Sequence, residues 1–320
     1  MHSNNVAMKD IIVPPGLLQE IAESEAEFCR KVRNCDPLEG ANNIASGYKS
    51  SFAAIENVLG KDKLKTAKVL EIGSGNGFLL CYAVKNGIDI VGIEPGKTYG
   101  FHDRNMRAIK LLKANGVLNS EKVLYDASAE ALPFKDDSFD FVYSVAVLEH
   151  VRNVELAMKE SIRVLKPGGL LWANIPNYNS LYEGHYDILW LPYMSKNMAK
   201  CYVSLLYKRD PYYVDELIFT NPSMFKKYLK SGSTYGKLLL RGRGLANYVF
   251  EISNICSEKD ATRNSAKYSG AKRYLQMLLE FRVIKLILKY PFMLFSEILG
   301  LAGLAATFDI VLHKRETGAF

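Results

Sequence analysis

Lys68–Gly77 reads K-V-L-E-I-G-S-G-N-G, a short β-rich run that meets three glycines at alternate positions, and an apolar helical pattern follows over Phe78–Asn86. Glycines at a strand-to-helix bend let the backbone turn sharply and approach a ligand without a Cβ in the way. The start of the helix behind them offers unpaired N–H groups. The spacing is G-x-G-x-G, and Phe78 stands where the dinucleotide fingerprint has its third glycine. That departure counts against a nicotinamide or flavin enzyme. No Gly-Lys-Ser/Thr follows, so the bend is not a phosphate-cradling P-loop either.

Outward from this bend, apolar strand-like runs alternate with helical patterns. Ile88–Ile93 is a second strand, Tyr99–Asn115 a helix, Lys122–Tyr125 a third strand and Phe139–Val145 a fourth. Val154–Leu165 is a helix and Leu170–Ile175 a fifth strand. Such alternation means βαβ units in an α/β fold: a Rossmann-like, doubly wound, mostly parallel sheet. Glu94 ends the second strand, at the carboxyl end that faces the crevice beside the glycines. A carboxylate there can accept both hydroxyls of a ribose, so bend and acid together imply a nucleoside-bearing ligand.

The chain divides by texture. Residues 1–60 form an N-terminal helical segment, with helices over 14–34 and 49–60, and 61–176 the ligand-binding core. Residues 177–220, rich in tyrosine and asparagine and without a clean period, read as a substrate or lid insertion. Core texture returns over 221–244, with a helix capped by Asn221 or Ser223 and a strand at Lys237–Leu240. Residues 245–306 read as a second, helical insertion, and 307–320 as a final strand, Phe308–Leu312, and a tail.

Composition narrows the class. The 320 residues are 48% hydrophobic and 23% charged, which excludes a disordered chain, a collagen-like repeat and a polytopic membrane protein. The five cysteines and five histidines are scattered, so neither a disulfide framework nor a metal cluster is expected. The N-terminus has neither a basic n-region nor an apolar h-region, so the expected location is cytoplasmic. Charge is uneven: residues 1–180 hold 21 basic and 22 acidic side chains, against 20 and 12 in the remainder. A basic second half suits an anionic partner: a phosphorylated acceptor, an anionic membrane surface or nucleic acid. Lys272–Tyr290 is apolar with interspersed cations, and reads either as an interfacial, membrane-associated helix or as a lid or homodimer helix. The run R241-G-R-G244 is too short to argue for nucleic acid.

The ordered motifs E71-I-G-S-G-N-G77, Glu94, A129-E-A-L-P-F134, D136-D-S-F-D-F-V-Y143, V147-L-E-H-V151 and V164-L-K-P-G-G-L170 resemble the class I S-adenosylmethionine (SAM)-dependent methyltransferases, in the small-molecule, type-11-like subset. The resemblance covers about residues 65–176. It implies a seven-stranded sheet with an antiparallel last strand, and SAM as cofactor at the carboxyl ends of the strands. It places Gly73, Gly75 and Gly77, with Glu71 and Ser74, along the methionine part of SAM, and Glu94 with Pro95 at the ribose. Ser128, Ala129 and Glu130 fall where the family flanks the adenine, Ser128 replacing the more usual Asp. Ser144 and Val145 fall where backbone carbonyls meet the methionine amine.

An activated methyl donor needs an acceptor held in line and, for a hydroxyl acceptor, a group to take its proton. Two histidines are candidates. His150 follows the fourth strand, and His185 lies in Y182-E-G-H-Y186 after the fifth. Each is alternatively a structural histidine. No (Asp/Asn)-Pro-Pro-(Tyr/Phe) motif follows the fourth strand, which argues against methylation of base amino groups. The expected activity is methyl transfer to a small-molecule hydroxyl on a sugar, glycolipid precursor or other metabolite. The E-G-H-Y…W-L-P-Y stretch loosely resembles methyltransferase-like proteins of bacterial glycan assembly, so the alternative is a non-catalytic binding or assembly module in surface-glycan biosynthesis.

Overall fold

A computed structural model describes residues 8–98, 101–229, 231, 233–241, 249–252 and 306–316. The expected interfacial helix at Lys272–Tyr290 and all of 253–305 lie outside these residues, as does most of R241-G-R-G244. Among the described residues no helix is long and apolar enough to cross a membrane.

The chain opens with α1 (Leu17–Ser24), α2 (Ala26–Phe28), α3 (Pro37–Ser46), α4 (Tyr48–Leu59) and α5 (Lys61–Thr66). The single helix expected over 14–34 is therefore broken: it stops at Ser24, restarts briefly, and ends in a π turn over Cys29–Arg33 closed by Asn34 at φ 56°. Asp36 starts α3 by accepting the Leu38 and Glu39 amides, and Pro37 fits the first turn, where its missing N–H costs nothing.

The core then alternates β1 (Val69–Ile72), α6 (Phe78–Lys85), β2 (Ile90–Ile93), the short pair β3 (Lys97–Thr98) and β4 (Phe101–His102), α7 (Arg104–Ala114), β5 (Leu124–Tyr125), β6 (Phe139–Val145), α8 (Val154–Arg163) and β7 (Leu165–Pro176). The insertion contains β8 (Tyr182–Glu183), β9 (Ile188–Leu189) and α9 (Lys196–Tyr207). The core resumes with α10 (Pro222–Leu229), β10 (Thr234–Arg241), β11 (Val249–Ile252) and β12 (Thr307–Lys314). Several expected elements differ in extent: the third strand shortens to Leu124–Tyr125, the strand at Lys237–Leu240 lengthens to Thr234–Arg241, and two others shift at their starts. The helix expected from Tyr99 begins at Arg104, because the preceding residues pair as β3 and β4. The fifth strand starts early, at Leu165, through a bulge against β6.

The sheet runs β11-β10-β12-β7-β6-β1-β2-β5. The strands from β5 to β7 are parallel, and β12 runs antiparallel between β7 and β10. This is the doubly wound sheet with an antiparallel last strand, extended by β11 at one edge. That strand lies in a stretch read as helical, but its Val-Phe-Glu-Ile is β-prone and pairs antiparallel with β10.

One apolar cluster lies between the sheet and the N-terminal helices, joining Leu17, Ile21, Phe52 and Ile55 to Val69, Leu80, Phe141 and Trp172. A second packs α8 and α10 on the other face, around Leu70, Met158, Phe225 and Phe308. The third is aromatic and belongs to the insertion: Tyr178, Tyr186, Trp190, Val203 and Tyr213, closed by Phe28 and Val32 from the N-terminal segment. The insertion is thus fastened to the chain start, over the carboxyl end of the sheet.

Candidate active site

At the end of β1 the backbone turns through Gly73 and Gly75 at φ 81° and 53°. A Cβ on Gly73 would stand 2.3 Å from a Val147 methyl, so only glycine lets the loop after β6 approach. That loop is itself bent: Ala146, at φ 53°, turns the chain between Val145 and Val147. Strained residues of this kind collect at functional sites.

The bend opens on a cavity of about 400 Å³ lined by Glu71, Gly73, Ser74, Gly75, Asn76 and Phe78, by Tyr143 and Val145 of β6, by Arg104 of α7, and by Ile44, Tyr48 and Ser51 from the N-terminal helices. Glu94 closes the neighbouring strand end: its Oε2 accepts the Gly75 N–H at 2.8 Å. Glu71 is buried, and its Oε2 has no hydrogen-bond partner. Burial, with the Glu94 charge adding to it, pushes the Glu71 carboxyl up to about 8. An orphaned buried acceptor on a polar cavity is suited to a donor-bearing ligand, as the ammonium of an amino acid would be. Arg104 donates to buried Glu25 at 2.9 Å and Arg107 to Asn76 at 2.8 Å, which fixes the α7 wall.

The expected cofactor residues therefore separate. Glu71, Gly73, Ser74, Gly75 and Val145 line the cavity, and Glu94 is bonded to its rim. Gly77 lies outside the lining. Its place is a packing contact, since a Cβ there would be 2.6 Å from that of Ala108 on α7. Pro95, Ser128, Ala129 and Glu130 also lie outside it: Ser128 is exposed, Ala129 is in the apolar core, and Glu130 accepts the Arg152 and Asn153 amides ahead of α8. Asp126 instead reaches the strand end, accepting the Gly96 amide at 2.8 Å. Ser144 is buried between two lining residues with its hydroxyl unpartnered.

The two candidate histidines, 35 residues apart in sequence, meet edge to face with ring centroids 5.2 Å apart. The loop after β6 delivers Glu149 and His150, and the β8–β9 hairpin delivers His185. Each of the three offers a ligand atom within 4.8 Å of the others. The scattered spacing of the histidines concealed this grouping. Glu183 holds His185, its Oε1 lying 2.7 Å from Nδ1, while its Oε2 accepts the Tyr186 N–H at 2.7 Å. Tyr178 donates to the same Glu183 Oε1 at 3.3 Å. Burial disfavours charge on His185, but Glu183 outweighs it and leaves the imidazole pKa raised. Burial, the His185 charge and Arg104 hold His150 down at about 3. Glu149 is fully buried, neither carboxyl oxygen has a hydrogen-bond partner, and burial raises it to about 7.

Glu149, His150, Glu183 and His185 are not among the residues lining the cavity, and two residues link the cluster to it. Val147, against Gly73, is two residues before Glu149, and Arg104 both lines the cavity and acts on His150. Glu183 and Tyr178 are the partners that sequence reasoning did not assign a role. Tyr48 and Ser51 are equally unforeseen, since nothing in the N-terminal sequence ties α4 to the glycine bend.

A family model described as "Methyltransferase domain" matches residues 70–173. The ubiquinone biosynthesis O-methyltransferase of Rhizobium etli is 28% identical over 192 residues, which cover 56% of this chain and 73% of that protein. An uncharacterized protein of Mycobacterium tuberculosis is 33% identical over 125 residues, 38% of this chain and 40% of its own. A SAM-dependent methyltransferase structure from Thermotoga maritima covers 84% of this chain and 89% of its own at 19% identity and a TM-score of 0.44.

Proposed function

We propose that this chain, a SAM-dependent methyltransferase by the domain matched at residues 70–173, transfers the methyl group to a hydroxyl of a small-molecule acceptor held against the His150–His185 cluster. The observation that carries this reading is the Glu183–His185 hydrogen bond of 2.7 Å beside the cofactor cavity. A carboxylate on one imidazole nitrogen fixes the ring and its tautomer, and leaves the other nitrogen to take a proton. The name of the Rhizobium etli relative, an O-methyltransferase, points the same way.

The residues present fit the cofactor. The Gly73–Gly75 bend gives backbone access, Glu71 offers an unpartnered buried acceptor, and Glu94, using one oxygen on the Gly75 amide, keeps acceptor capacity for ribose hydroxyls. When bound, SAM supplies an electrophilic methyl carbon and leaves as S-adenosylhomocysteine. The protein's part is placement: the β8–β9 hairpin and the aromatic cluster around Trp190 and Tyr213 enclose the acceptor end and exclude water. His185 Nε2 takes the hydroxyl proton, Glu183 stabilises the imidazolium that results, and neutral His150 orients the oxygen.

Radiolabelled transfer from SAM to a panel of phenols, sugars and amines tests this. An O-methyl product with wild type, reduced by about 10²–10⁴-fold in kcat for His185→Ala with cofactor binding retained, is the expected result. Transfer confined to amines, or unchanged in that variant, contradicts it.

A further inference from the structure

We propose that Glu149, His150 and His185 hold a divalent transition-metal cation, with a coordination position open to the acceptor hydroxyl. The inference deepens the hydroxyl-transfer reading and rests on it only for where the acceptor lies.

Three observations carry it. First, three groups of the ligand type converge: one atom from each lies within 4.8 Å of the others. Tetrahedral bonds of roughly 2.0–2.1 Å would set ligand atoms about 3.4 Å apart, so seating an ion asks for an inward movement on the order of 1 Å. Second, Glu149 is 0% exposed and both its oxygens lack hydrogen-bond partners. A buried carboxylate without partners is costly, and a cation removes that cost directly. His150 Nε2, at 3.9 Å, is too far to bond it. Third, Glu183 is satisfied in a different way, bonded to His185 Nδ1 and to the Tyr186 amide. A carboxylate on the far nitrogen of a metal-binding imidazole is the usual outer partner of such ligands, because it fixes the ring and makes the near nitrogen more basic. The two acids thus have different tasks, Glu149 on the ion and Glu183 behind the ligand.

Two imidazoles and one carboxylate suit zinc or iron(II) better than calcium or magnesium, which take mostly oxygen, and manganese(II) serves as the spectroscopic probe of such a site. In the loaded protein His185 serves as a ligand, and the ion lowers the pKa of a coordinated hydroxyl so that its proton leaves to solvent. The metal-free and loaded forms are alternative ways of meeting one buried charge.

The test is titration of the chelator-treated full chain with manganese(II), followed by electron paramagnetic resonance, since manganese avoids the thiols that would capture zinc. One ion per chain is expected. Affinity should fall at least 10-fold in Glu149→Gln and His185→Ala, and in the same range for Glu183→Gln. S-adenosylhomocysteine binding, measured in parallel, should be unchanged and so shows that the variants fold. Absence of stoichiometric uptake, or uptake equal in Glu149→Gln, overturns the proposal. Methyl transfer to a hydroxyl at the same rate with and without the ion overturns the ion's part at the acceptor, and leaves the hydroxyl-transfer reading with His185 as base standing. Ion uptake without transfer to any hydroxyl supports the metal site and defeats that reading.

Discussion

Glu94 Oε2 accepts the Gly75 N–H at 2.8 Å and so fastens the end of the second strand to the glycine bend. One carboxylate therefore shapes the loop at the rim of the cavity, and in the proposed complex also accepts the ribose hydroxyls. Glu94→Ala removes both functions. A hydrogen bond to a charged group contributes about 1.5–3 kcal/mol, so S-adenosylhomocysteine should bind about 10–100-fold more weakly by calorimetry. Glu94→Gln retains an acceptor for the amide and should fall between wild type and Ala.

Gly75 and Gly77 both have positive φ, but their surroundings differ. An added Cβ meets nothing within 4 Å at Gly75 and meets the Ala108 Cβ at 2.6 Å at Gly77. Gly75→Ala should cost only the left-handed strain, about 1–2 kcal/mol. Gly77→Ala adds overpacking of about 1–3 kcal/mol between bend and α7, and should show the larger fall in Tm.

Glu71 makes stability depend on pH. Its carboxyl is raised from 4.5 to about 8, so the folded protein binds a proton that the unfolded chain releases between those values. The stabilisation it gives is complete below about 4.5 and is lost as pH rises through about 8. Glu71→Gln removes this titration. The variant's Tm relative to wild type should therefore climb from pH 5 to pH 9 in buffered thermal melts, while its cofactor affinity falls.

Glu25 in the N-terminal segment bonds Arg104, a wall of the cavity, at 2.9 Å and is 4% exposed. The Arg104 side chain is 23% exposed, so the pair is partly buried, and removing Glu25 leaves a partly desolvated charge without this partner. Glu25→Ala should lower stability by about 1–3 kcal/mol in denaturant melts and weaken cofactor binding, linking α1 and α2 to the site.

Much of this could be read from the sequence because its signals are local. The Lys68–Gly77 bend, the alternation from Ile88 to Ile175 and the final Phe308–Leu312 run each carry their own signal, and the strands expected in them all fall in one sheet. Glu71, Gly73, Gly75 and Val145 come to one cavity because each sits at the carboxyl end of a strand or just beyond, a place fixed by topology. Gly77 was legible as a glycine but not as a packing residue, since Ala108 comes from a distant helix. The N-terminal wall was hidden for a similar reason: Tyr48 and Ser51 reach the cavity through tertiary packing of α4 against α6. The Glu149–His150–His185 grouping depends on a hairpin in a segment without a clean period, so spacing alone could not bring its members together.

A crystal structure of the chain with S-adenosylhomocysteine tests the central claim most directly. The account predicts the amino-acid end against Glu71 and the Gly73–Gly75 bend, the ribose hydroxyls on Glu94, and the sulfur directed towards His150 and His185. A ligand seated away from Glu94, or a sulfur pointing away from both histidines, would contradict it.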